Sequence, residues 1–150
     1  MKPRHEQALS AALLLAGGAI YLLFRPQTLL MFHVADRLGG SSSIQAARAL
    51  TSECHLPRLL TDCLPGGLWS AAYVLLIDSL LKRQSAKHKI VAASIIPLVG
   101  ALSEALQYWG FLPGTFDSID LLCYLLPLFI YIPLQLAKPI NSQTHKLTNS

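Results

Sequence analysis

Four long apolar stretches, at about 8–24, 64–81, 90–109 and 119–137, alternate along the chain with polar or glycine-rich connections. Each comes close to the ~20 apolar residues that a helix needs to cross hydrocarbon. The first follows Lys2 and Arg4 and stops at Phe24-Arg25-Pro26 with no clean small-x-small cleavage site, which fits a retained signal-anchor. Between the first two stretches, 28–34 is apolar but too short to cross, so it is expected to lie along the interface. Leu38-Gly39-Gly40-Ser41-Ser42-Ser43 then reads as a flexible break. Residues 44–53 read as a short helix with Ala46, Ala47 and Leu50 on its apolar side. The pattern predicts an all-α, four-span transmembrane bundle, a single domain over 1–150. An extracytoplasmic segment of about 40 residues separates spans one and two, and 139–150 form a flexible cytoplasmic tail.

Composition narrows the class. Of 150 residues 53% are hydrophobic and only 13% charged, with a mean hydropathy of +0.46. Soluble domains carry ~25% charged residues. Disorder, collagen and coiled coil are excluded, and the lipid bilayer is the expected surroundings. The net charge of +4 does not point to nucleic acid, because the cations form no aromatic-interleaved patch. Their densest run, Lys82, Arg83, Lys87 and Lys89, lies between two spans, where a cytoplasmic loop belongs.

Counting Lys and Arg orients the chain. With both termini inside, the cytoplasmic side holds Lys2, Arg4, Lys82, Arg83, Lys87, Lys89, Lys138 and Lys146. The outside then holds Arg25, Arg37, Arg48 and Arg58, which favours this topology.

Several residues predict how the spans pack. Ala8, Ala12 and Ala16 form a small-xxx-small ladder that admits a neighbouring backbone. Ala93, Pro97, Gly100, Glu104 and Gln107 share one face of span three. Pro97, Pro127 and Pro133 are expected to distort their helices. Trp69 and Tyr73, like Tyr108 and Trp109, read as interfacial anchors.

The acids are the most informative residues. Asp78 stands one turn before Lys82, the spacing of a snorkelling i,i+4 pair. Glu104 lies about 7–8 Å of helix rise inside the outer end of span three. Burying a charge at mid-span costs ~2.5–3.5 kcal/mol on insertion scales. Gln107 stands one turn outward, and Asp117 and Asp120 open span four after a Pro113-Gly114 turn. Spans three and four must be neighbours, which sets Glu104 facing Asp120.

Three readings fit this cluster. Asp117 and Asp120 can cap a helix and answer its dipole. Glu104 can pair with Arg25 or Arg48 folded over from the outer segment. Alternatively Glu104, Gln107, Asp117 and Asp120 form a functional pocket, holding a divalent cation or acting as acid and base on a lipid-linked substrate. No metal motif is present: Glu53, Cys54, His55 and His33 match no zinc spacing. Cys54 and Cys63 can form a disulfide if their compartment is oxidising, while Cys123 reads as an apolar filler.

Glu104-Ala105-Leu106-Gln107 followed by Pro113-Gly114-Thr115-Phe116-Asp117-Ser118-Ile119-Asp120 resembles the VanZ-like family of small bacterial membrane proteins. That family has Glu-x-x-Gln ending one span, a Pro-Gly turn and an Asp opening the next. Leu64-Pro65-Gly66-Gly67-Leu68-Trp69 falls where the family has its proline-containing start of an earlier span. The likeness covers about the last two thirds of the chain, and Glu104, Gln107 and Asp120 carry over. Family members often have Asp after that proline, Arg in the turn, and Asn four residues after the aspartate. Here Gly66, Gly114-Thr115 and Tyr124 stand in those places. The resemblance implies a cell-envelope protein that binds or modifies an amphiphile at the outer leaflet, linked to glycopeptide-type antibiotic resistance. The alternatives are a non-enzymatic membrane scaffold or partner-binding protein and, less favoured, a metal-dependent lipid-headgroup enzyme.

Overall fold

The computed structural model of the chain describes residues 3–25, 36–37, 39–54 and 56–137. The apolar stretch 28–34, His33, His55, Lys2 and the tail 138–150 lie outside the described residues. Among those described, the chain is helical with no strand. Its elements are α1 (Pro3–Phe24), α2 (Ser41–Leu50), a π-helical turn (Leu59–Cys63), α3 (Leu64–Leu80), α4 (Ala86–Tyr108) and α5 (Ser118–Leu136). Helix α1, the continuous run Leu59–Leu80, α4 and α5 are each long and apolar enough to cross a membrane.

The helices begin earlier than their apolar stretches because hydropathy marks where lipid contact starts, not where backbone hydrogen bonding starts. Ser85 caps α4, its hydroxyl accepting the His88 N–H at 3.4 Å. Helix α2 also starts ahead of its expected position. Ser41, Ser42 and Ser43, expected as a flexible break, form its first turn, and the break falls at Gly39 with φ +75°. None of its residues is buried, and Leu50, expected on a packed face, is 88% exposed.

The four long helices run alternately up and down, with α3 at the centre, touching α1, α4 and α5; α4 and α5 also pack together. Hydroxyl and indole groups tie these contacts across helices, each worth about 0.6 kcal/mol on average in lipid. Ser10 donates to the Ala72 carbonyl at 2.7 Å and Ser70 to that of Tyr124 at 2.7 Å. The Trp69 indole donates to Leu14 at 3.3 Å and the Tyr73 hydroxyl to Ala92 at 2.9 Å. Trp69 and Tyr73 thus bind helix to helix, where interfacial anchors were expected. Tyr108 and Trp109 are exposed.

The packed face of α1 is also not the expected one. Glu6, Ser10 and Gly17 turn inward, whereas Ala8, Ala12 and Ala16 are exposed. Gly17 decides this: a Cβ there would lie 2.7 Å from the Trp69 indole nitrogen. Tyr124 of α5 lies equally close to Gly100 of α4, where an added Cβ would sit 2.5 Å from its ring. Helices α4 and α5 continue through Pro97, Pro127 and Pro133.

A buried apolar cluster joins Val74 of α3, Ala93 of α4, and Leu128 and Tyr131 of α5. Large apolar side chains along the outside, including Leu15, Leu98, Leu102 and Phe129, are more than half exposed. A soluble monomer rarely shows so much. Helices of this kind belong against lipid acyl chains.

Candidate functional site

Chain direction brings the end of α1, the π-helical turn, the last turn of α4 and the first turn of α5 to the same end of the bundle. Asp117 has extended backbone and caps α5, its carboxylate accepting the Ile119 N–H at 2.8 Å. Glu104 is 5% exposed and accepts the backbone N–H of Asp117 at 3.2 Å. The buried acid of α4 therefore holds the start of α5 through Asp117, where Asp120 was the expected partner of Glu104.

Asp120 lies one turn into α5 and meets a residue that was assigned elsewhere. The ligand-forming atoms of Cys63, Asp117 and Asp120 all lie within 4.8 Å of one another. Cys63 ends the π-helical turn and is buried. One carboxylate oxygen of Asp120, Oδ1, is buried with no hydrogen-bond donor. A buried oxygen left so is costly, and it can accept from a cationic or hydroxylated group.

Cys54 and Cys63, expected as a disulfide, are separate free thiols, Cys54 exposed and Cys63 buried. The helical run from Leu59 turns Cys63 into the bundle, while Cys54 stays in the connection outside it. Nine residues of sequence spacing carried no information about that rotation. The signal that Cys63 belongs with Asp120 was its place two residues before Pro65, where a span starts at the same end as α5.

The two arginines proposed to pair with Glu104 have other partners. Arg25 reaches Asp62 at 3.4 Å, with its guanidinium 5.7 Å from the Tyr21 ring centroid. Arg48 donates to the carbonyls of Leu22 at 2.8 Å and Arg25 at 2.9 Å, closing the carboxyl end of α1. A cation at that helix end also answers the dipole. Gln107 packs beneath the turn into α5: a Cβ on Gly114, φ +140°, would lie 2.6 Å from its side-chain oxygen. Tyr108 stands edge-on to Phe116 at 5.3 Å between ring centroids, and with exposed Trp109 and Phe111 it forms an aromatic rim beside the acids.

Cys63, Asp117 and Asp120 offer one soft and two hard donors, a mixed set with no strong preference for one metal. Chemically, the end provides hydrogen-bond acceptors and negative charge beside an apolar and aromatic wall. No family model, curated protein or solved structure matches the chain.

Proposed function

We propose that the chain is a VanZ-like protein of the bacterial cell envelope. It holds the polar head of an amphiphile at its acidic end, with that end facing the outer leaflet and both termini in the cytoplasm. The observation that carries this reading is the buried Asp120 oxygen without a donor, gathered with Cys63 and Asp117. A hydroxylated or cationic head group supplies the missing donor, while its chains run along the lipid-facing helices. Link to glycopeptide-type resistance is part of the same proposal and rests on the Glu104, Gln107 and Asp120 motif. Native mass spectrometry of protein purified from its own membranes tests binding. The wild type carries an amphiphile adduct that Asp120→Asn loses at equal protein level; an identical adduct profile in both would sink the reading. Cytoplasm-specific reporters fused after Ser85 give signal and fused after Gly39 give none; the reverse result overturns the orientation.

A second reading has its own observation. Glu104 bonds the α5 backbone and Asp117 caps it, as a scaffold without a ligand requires. Glu104→Gln separates the two: a scaffold keeps every property, whereas a binding site loses its adduct while the fold persists.

A further inference from the structure

The opposite end of the bundle carries a surface that the acidic site does not use. Its two acids are turned inward and each meets a lysine. Lys89 reaches Asp78 at 3.2 Å, and Lys82 reaches Glu6 at 2.7 Å. Arg4, Arg83 and Lys87 remain exposed at the same end, with His5 and His88 beside them. Arg83 lies in the five-residue connection 81–85 and Lys87 in the first turn of α4. So short a connection cannot carry its charges away from the span ends. Apolar side chains in the helix turns at this end are exposed: Leu80 at 61% ends α3, Val91 at 62% stands in the second turn of α4, and Leu136 at 69% ends α5. Exposed cations and exposed apolar side chains thus share this end of the bundle, with Glu6 and Asp78 each paired to a lysine.

We propose that this edge, formed by Arg4, Arg83 and Lys87, is a docking surface for anionic phospholipids. Acyl chains lie against Leu80, Val91 and Leu136, and the phosphate is met by the guanidinium and ammonium groups. A soluble anion would use the cations but not the apolar wall, which is why the occupant is a membrane lipid. Pairing Glu6 and Asp78 internally removes the negative charge that would otherwise repel it. Each cation near an anionic surface contributes roughly 1 kcal/mol, about a fivefold preference.

The test uses the full chain in phosphatidylcholine vesicles carrying a minority of spin-labelled phosphatidylglycerol, compared with spin-labelled phosphatidylcholine. The wild type prefers phosphatidylglycerol at low ionic strength. It loses most of that preference at about 1 M salt, where the screening length is about 3 Å. R83Q/K87Q lowers the preference by about fivefold per cation removed, while R83K/K87R retains it. No preference in the wild type, a preference indifferent to salt, or an R83Q/K87Q protein of wild-type preference would each overturn the proposal. The salt series needs no variant, so it decides the matter even if R83Q/K87Q fails to fold.

Discussion

The two ends of the bundle treat half-buried carboxylates differently. At one end, a single oxygen of Asp78 accepts from Lys89 at 3.2 Å, Tyr131 at 2.9 Å and Gln135 at 2.9 Å. These donors come from α4 and α5, so the carboxylate joins three helices beside the buried apolar cluster. At the other end, Asp120 has a buried oxygen with no donor, next to Asp117 and the Cys63 thiol. Arg25 stands nearby but reaches Asp62. Asp78 gathers three donors on one oxygen, whereas Oδ1 of Asp120 has none. The lesson is that a buried acid strengthens a membrane fold when its neighbours are built for it.

The largest expected effect breaks the satisfied end. Lys89→Met leaves Asp78 charged among neutral donors, and removing one partner of a buried pair costs about 3–5 kcal/mol; partial exposure of the pair places this case at the low end. Unfolding in mixed detergent micelles should show it. D78N/K89M should recover much of the loss, because no buried charge is left unpaired. A double variant as unstable as Lys89→Met would mean that the charges themselves, not their pairing, hold the helices.

Next in size is packing between α4 and α5. Gly100→Ala pushes a methyl into the Tyr124 ring, and overpacking of this kind costs about 1–3 kcal/mol. Y124L with Gly100→Ala should relieve it. If Gly100→Ala is silent alone, the close approach of these helices is wrong.

The existence of the four long apolar helices was legible because length and hydropathy alone define them. Partners across helices were not. Lys82 was assigned to Asp78 by spacing within one helix, but Lys82 reaches Glu6 of α1, and the short connection 81–85 returns the chain so that Lys89 reaches Asp78. Helix α1 carries two small-residue faces, and nothing local distinguishes Ala8, Ala12 and Ala16 from Gly17. The bulk of Trp69 on α3 selects the glycine. At the candidate site, Glu104, Asp117 and Asp120 were visible as acids near span ends. Cys63 was not, because its rotation is set by the π-helical turn before α3.

A smaller effect is expected from Ser10→Ala, which removes the bond to Ala72 and should cost about 0.6 kcal/mol. A loss several times larger would mean that the α1–α3 contact depends on this bond more than on the fit of Gly17 beneath Trp69.

The contrast between the ends is tested most directly by comparing thermal unfolding of Asp78→Asn and Asp120→Asn in one detergent. Each substitution keeps the side-chain shape and removes one charge. Asp78→Asn leaves Lys89 without its counter-charge and should lower the midpoint by several degrees. Asp120→Asn removes a charge that has a buried, unsatisfied oxygen and should leave the midpoint unchanged or raise it. If Asp120→Asn falls as far as Asp78→Asn, the acids at the two ends serve the fold alike, and the account of a site held at a cost in stability is contradicted.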